Sequence, residues 1–426
     1  MEDSDIFIKK IKINKVRHLK DIEILISDNK KKHLILTGIN GSGKTSLLEA
    51  LSEILNWTFI QNGSGNTDGF FKNRDTKKRN IERLETQLNN SGSEVEKNKI
   101  KKGINELSKS IQLFNGYIEK YTAVELEVNN HHLVKDLVVN SNFIIDFEQY
   151  ERKNNQHPVE GPKIIKFKKS YEPTHSVSDY FAQYLTNQRM DMLDEKEENE
   201  LEKYKQKKEW FANLENIFKE IYNDDQLKLK YNKNRKIYEI IQKNREPFAL
   251  NEMASGYAAY FKLITELLLR MEINKPGSYE VPGICLIDEI ETHLHIDLQR
   301  KSLPLLTRFF PNIQFIVTTH SPFIINSTVD SVVYDLENQI LIDDDPTKFS
   351  GDTITKLYLR SDSLSDEIKR KLETLNTLAE KSEHSDEEKE KWKKLISYFN
   401  SILPFIDDDV KTSLTAIKIK SFLKDD

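Results

Sequence analysis

The chain has 426 residues, of which 31% are charged and 37% hydrophobic, with a formal net charge of -5. That length admits two or three domains, and the acidic balance confines any nucleic-acid contact to local basic patches. A single cysteine, Cys285, excludes an internal disulfide framework and any cysteine-based zinc cluster.

The chain starts acidic, with Met1-Glu2-Asp3-Ser4-Asp5, and no apolar run reaches the ~20 residues of a membrane span, so a cytoplasmic protein without membrane contact is expected. Residues 6 to 14 alternate as a strand, and Ile22, Ile24 and Ile26 repeat the same period of two. The apolar run Leu34-Ile35-Leu36 then enters Gly38-Ile39-Asn40-Gly41-Ser42-Gly43-Lys44-Thr45, which fits G-x-x-x-x-G-K-[ST]. Glycines there let backbone N–H groups turn inward around phosphate oxygens, Lys44 offers a cation to the β and γ phosphates, and Thr45, followed by Ser46, offers a hydroxyl to Mg2+. Leu47, Leu48, Leu51, Ile54 and Leu55 follow at helical spacing, which puts the anion at a helix N-terminus.

From about 72 to 115 the composition turns to Lys, Arg, Glu and Asn. Ile81, Leu84 and Leu88, then Ile100, Ile104, Leu107, Ile111 and Phe114, keep coiled-coil spacings. A turn at 89 to 93 makes this a short antiparallel hairpin with arms of roughly 20 to 30 Å, or a charged helix pair lying on the domain surface. Strands are expected again at 123 to 128, 133 to 139, 143 to 147 and 163 to 167, helix at 190 to 223, and two strands around a turn at 232 to 234. Leu250-Asn251-Glu252-Met253-Ala254-Ser255-Gly256-Tyr257 leads into an apolar helix from 258 to 271, so Ser255 and Gly256 stand at a helix start with an anion-binding geometry.

Two further segments bear on chemistry. Gly283-Ile284-Cys285-Leu286-Ile287 is an apolar strand ending in Asp288 and Glu289, placed so that Asp288 binds Mg2+ through water and Glu289 polarises an attacking water; paired acids also begin helices. Gln314 to Ser321 reads as a neighbouring strand ending in hydroxyls and His320, a candidate γ-phosphate sensor. After a strand at 331 to 334, Asp343-Asp344-Asp345-Pro346 is a solvated turn, and from 352 onward the apolar period describes a small helical bundle.

In this order the segments resemble the ABC-type ATPases of the RecF and SMC group, and especially the OLD-like AAA family of bacterial defence operons. The resemblance covers most of residues 6 to 330, most specifically Ile11 to Asn40, Asp288-Glu289-Ile290-Glu291-Thr292-His293-Leu294-His295 and Thr318-Thr319-His320-Ser321-Pro322. It implies an α/β P-loop NTPase with an ABC-type two-lobe head: lobe I in residues 1 to 71 and 116 to 189, a coiled-coil insertion at 72 to 115, lobe II in 190 to 345, and a helical extension in 346 to 426. It implies ATP as ligand with Mg2+, and a head-to-head homodimer or higher oligomer in which Ser255 and Gly256 of one subunit meet the γ-phosphate held by the other. The Met-Ala-Ser-Gly-Tyr signature departs from LSGGQ, which argues against a transporter ATPase. A glutamine expected after the lobe I strand near 163 to 169 is missing, with Gln183 and Gln188 only distant candidates.

The C-terminal stretch lacks the acidic pattern of the TOPRIM nuclease that OLD enzymes carry. The layout therefore resembles the ATPase subunits of Septu-type and PARIS-type antiviral systems, with a nuclease or toxin effector as a separate protein. Alternatives are a RecF-like DNA clamp acting in repair or chromosome maintenance, and a nucleotide-gated scaffold with negligible turnover.

Overall fold

Alternating apolar residues build the first two strands, β1 (Ile8–Val16) and β2 (Leu19–Leu25), which pair antiparallel with Ile11 opposite Ile24 and Ile13 opposite Ile22. A computed structural model describes residues 6–61, 67–157, 159, 161–168, 171–277, 279–342, 345–348, 366–381, 385–402, 411 and 414–417. The chain divides into two units, Met1–Ile354 and Thr355–Asp426.

In the first unit, β3 (His33–Thr37) runs into the glycine-rich loop and α1 (Lys44–Leu55), which continues into a π-helical turn, Asn56–Ile60. Two long helices follow, α2 (Asp68–Asn90) and α3 (Glu94–Tyr121), packed on each other and joined across Ser91 to Ser93. Each is longer than the arms expected for the hairpin at 72 to 115: 23 and 28 residues extend about 35 and 42 Å at ~1.5 Å each. Their bases lack the apolar heptad that marked the middle and are held instead by aromatic rings, Trp57, Phe70 and Tyr121, with Trp57 stacked on Tyr121 at 4.6 Å.

The chain then forms β4 (Val124–Val128), α4 (His131–Val139), β5 (Ile144–Glu148), α5 (Phe181–Glu197), α6 (Leu201–Tyr222), β6 (Lys228–Asn232), β7 (Ile237–Ile241), β8 (Phe248–Ala249) and α7 (Ser255–Asn274). It continues through β9 (Gly283–Ile287), α8 (Ile296–Phe309), β10 (Ile313–Thr318), the single turn α9 (Pro322–Ile325), β11 (Ser331–Asp335) and β12 (Ile340–Ile342). Three expectations are corrected. Residues 133 to 139 are helix, because Asn130 caps the Leu133 N–H and Leu133, Val134, Leu137 and Val138 share one helical face. Residues 163 to 167 form no strand, and Ile164 is exposed. The helix expected over 190 to 223 is two helices broken at 198 to 200, where Asn199 takes a positive φ of 59°.

Six strands form one sheet in the order β12-β11-β3-β10-β9-β5, parallel except for β12. Its inner strands read as continuous apolar runs because both faces are covered. Loop strand and acid strand are thus separated only by β10, although they belong to distant parts of the sequence. Leu34, Leu36, Ile284, Leu286 and Ile316 on one face share a core with Leu47, Leu48 and Leu51 of α1 and with the antiparallel sheet β2-β1-β4. Burying each such side chain contributes about 1.5–3 kcal/mol. Gln314 ties the two sheets: its amide donates to the carbonyls of Ile8 and Lys32 and accepts from the Ile8 N–H at 2.7 Å.

The second unit contains α10 (Asp366–Glu380) and α11 (Asp386–Ile402), where Leu375, Ala379, Phe399, Leu414 and Ile417 form a buried cluster, as the apolar period predicts. Asp343, Asp344 and residues 352 to 365 lie outside the described residues. Asp345 accepts from the N–H and hydroxyl of Thr347, a turn interaction. Among the described residues no helix is long and apolar enough to cross a membrane.

Candidate functional site

The loop between β3 and α1 winds through three glycines with positive φ, Gly38 at 137°, Gly41 at 87° and Gly43 at 94°. A side chain on Gly43 would also strike Leu19, so the loop is pressed against the β1–β2 turn. Lys44 is buried, and its ammonium donates to the carbonyls of Gly38 at 2.9 Å and Ile39 at 3.0 Å. Burial lowers its pKa while Glu289, Asp288, Glu291 and Asp335 oppose that shift, so the cation faces a ring of acids. Asn40, Gly41 and Thr45 are exposed on the rim, Ser42 is buried, and Gly43 and Ser46 are half-buried.

Asp288 closes β9, two strands from the loop. Its carboxylate accepts the Thr45 hydroxyl at 2.8 Å and the Thr318 hydroxyl at 2.7 Å, so both oxygens are oriented. Glu289 begins the turn that follows, with φ 45°, and its carboxylate accepts from Thr292 at 3.0 Å. The Glu289 N–H donates to the Thr318 hydroxyl at 2.7 Å. His320 follows β10, its backbone N–H donating to Glu291. Burial, then the charge of Lys44, lowers the His320 pKa, which keeps the ring neutral at neutral pH. Among the described residues, His320 Nε2, Glu291 Oε2 and Thr37 Oγ1 are buried without a hydrogen-bond partner. Unpaired buried polar atoms are costly, and these lie on strand ends and turns beside the loop, where a phosphate group and a hydrated cation would satisfy them. The donor set of Thr45 and Asp288, all oxygen, suits Mg2+.

Lys44, Thr45, Asp288, Glu289 and His320 therefore come together. Ser255 and Gly256 stand apart: among the described residues no hydrogen bond joins them to residues 38–46. Gly256 instead packs against the turn after the acids, since a Cβ there would lie 2.5 Å from the His293 carbonyl oxygen. Ser255 is exposed at the first turn of the 20-residue α7, which has no side-chain cap.

Sequence reasoning missed two residues. β5, beside β9, ends at Glu148 and is followed at once by Gln149, so a glutamine does stand at the end of an edge strand, though not near 163 to 169. The signal was there in the apolar run 143 to 147, which was read without its neighbour. Arg152, three residues on, is buried and donates to the carbonyls of Asp288 and Glu289, both at 2.6 Å. No pattern marked it, because a basic residue in a polar loop normally faces solvent.

Residues 34–326 match the family described as "AAA domain, putative AbiEii toxin, Type IV TA system". The chain is similar to the retron Ec83 probable ATPase of Escherichia coli, 39% identical over 95 residues that cover 22% of this chain and 17% of that protein. It is 36% identical over 91 residues to the Septu protein PtuA of Bacillus mycoides (strain KBAB4), 21% of this chain and 13% of the relative. The retron Vc95 probable ATPase of Vibrio cholerae serotype O1 biovar El Tor is 24% identical over 373 residues, 75% of this chain and 71% of its own length. The chain thus spans less than a fifth of the first two relatives it matches.

Proposed function

Because the chain belongs to the AAA-domain family of the putative AbiEii toxin type, we propose that it is a Mg2+-dependent ATPase that dimerises on ATP and governs a separate effector, a nuclease or toxin, in antiphage defence. The observation that carries the enzymatic part is Asp288, held between Thr45 of the phosphate-binding loop and Thr318 of the intervening strand.

In this reading Lys44 and the backbone N–H groups of 41–46 bind the β and γ phosphates, with Gly38, Asn40, Gly41, Ser42 and Gly43 shaping the cradle. Thr45 and Asp288 would hold the cation, which when bound would supply charge neutralisation at the phosphate oxygens. Glu289 takes the proton of the attacking water, and the neutral His320 ring contacts the γ-phosphate through Nε2. Ser255 and Gly256 start a helix with no side-chain cap at an exposed residue, and among the described residues no hydrogen bond joins them to the loop of their own chain, which supports completion of the site by a second copy.

The names of the relatives, two retron ATPases and a Septu protein, support the setting in defence. The α2–α3 hairpin is the docking arm for the effector or another copy of the chain. Its base is coupled to the phosphate-binding helix: Lys120 pairs with Glu53 of α1 at 2.9 Å, and Trp57 stacks on Tyr121. Purified protein should release phosphate from ATP only with Mg2+, and Lys44→Ala should bind ATP at least ~10-fold more weakly. Metal-independent hydrolysis, or undiminished ATP binding by that variant, would overturn the assignment.

A further inference from the structure

Arg152 is only 5% exposed, yet among the described residues no carboxylate lies within ion-pair distance of it. Its donors go to main-chain carbonyls: Nη2 to Asp288 and Glu289 at 2.6 Å each, Nη1 to Ile290 at 3.4 Å, and Nε to Gln149 at 3.1 Å. Burying a guanidinium is costly, and here burial works against the charge while Glu148, Glu291, Asp288 and Glu289 support it. The turn it grips is strained. Glu289 has φ 45°, a left-handed conformation that a non-glycine residue keeps only when its surroundings over-determine it.

Those surroundings form two jaws. From β10, the Thr318 hydroxyl accepts the Glu289 N–H and the Thr318 carbonyl accepts the Ile290 N–H at 3.1 Å. From the loop after β5, Arg152 takes the three carbonyls of the same turn. The first jaw also holds the Asp288 carboxylate, whereas the hydrogen bonds of the second go to main-chain carbonyls, three in the acid-bearing turn and one, Gln149, in its own loop. We propose that Arg152 is a positioning residue for ATP hydrolysis, holding the turn in the left-handed form that aims the Glu289 carboxylate and acting through Glu289 alone. This rests on the reading of Glu289 as the base.

The same loop reaches the approach to α7, where the Asn154 amide donates to the Leu250 carbonyl at 2.8 Å. The grip on the base is therefore continuous with the segment that leads to Ser255.

A double-mutant cycle tests the proposal, with single-turnover rates normalised to sites counted by titration with a non-hydrolysable ATP analogue. Arg152→Ala should lower the hydrolysis rate on the order of 100-fold while leaving analogue affinity within about threefold, as expected when a reacting group is misplaced by about an ångström. Arg152→Lys, which keeps a buried cation with three donors, should recover part of the loss and serves also if the alanine variant folds poorly. In a Glu289→Gln background, Arg152→Ala and Arg152→Lys should cause no further fall. A further fall there as large as in the parent, or an unaltered rate for both single Arg152 variants, overturns the positioning role and leaves the ATPase reading standing. Parental turnover by Glu289→Gln alone overturns the role of Glu289 and this proposal with it.

Discussion

Thr45 and Asp288 are 243 residues apart in the chain, and the hydroxyl of one donates to the carboxylate of the other at 2.8 Å. The phosphate-binding loop and the acid strand are thus joined directly at the candidate cation site, and the second oxygen of Asp288 is fixed by Thr318. Outer partners of this kind set ligand orientation, and their loss typically costs ~10–100-fold in metal affinity. Thr318→Val should accordingly raise the Mg2+ concentration for half-maximal phosphate release at least ~10-fold. An unshifted Mg2+ titration would mean that Asp288 is not held for a cation.

Ser255 and Gly256 are adjacent but should respond oppositely. Gly256→Ala places a methyl against the His293 carbonyl, a backbone atom that cannot swing away, and should cost about 1–3 kcal/mol in urea denaturation. Ser255→Arg, on an exposed site, should leave stability unchanged and block association with a non-hydrolysable ATP analogue in sedimentation. Unimpaired dimerisation by Ser255→Arg would show that the site is not completed across two subunits.

Replacing residues 75 to 114 with a short Gly-Ser link keeps Trp57, Phe70, Tyr117 and Tyr121, the aromatic base of the hairpin. The shortened protein should hydrolyse ATP at close to the parental rate but lose co-purification with the separate effector and lose protection against phage. Full complex formation and protection would remove the docking role, and a selective loss of salt-sensitive DNA binding would transfer the arm to a clamp function.

His33 offers a pH test remote from the loop. Its Nδ1 accepts the Phe315 N–H at 3.0 Å, and burial lowers its pKa to about 4 from an unfolded value of 6.5. The unfolded chain therefore binds the proton more readily, so this contribution to stability is complete above pH 6.5 and is lost as pH falls from there through 4. Between pH 7 and 4.5 the parent should lose on the order of 2 kcal/mol more than His33→Gln, whose amide oxygen can still accept the N–H. Parallel pH profiles of urea midpoints would contradict this.

The loop, the acids and His320 were legible because each is a local pattern at a strand end, and parallel central strands write themselves as apolar runs such as Leu34 to Leu36 and Ile284 to Ile287. Periodicity failed where both readings share the same letters. Leu133, Val134, Leu137 and Val138 suit strand or helix, and Asn130 decides by capping. It also failed for 163 to 167, where the run Lys163-Ile164-Ile165-Lys166-Phe167 has strand-like composition but pairs with no strand among the described residues. Arg152 was illegible for a different reason: its partners are backbone carbonyls about 136 residues away, brought near by strand order rather than by any spacing.

The central claim is that Glu289 activates water at a site where Lys44, Thr45 and Asp288 hold the nucleotide. Phosphate release and ATP binding by Glu289→Gln, measured side by side with the parent, test it most directly. The account predicts retained ATP binding, a trapped dimer and a hydrolysis rate reduced at least ~100-fold, since a positioned base contributes ~10²–10⁴-fold. Turnover at the parental rate with the same ATP affinity would contradict it.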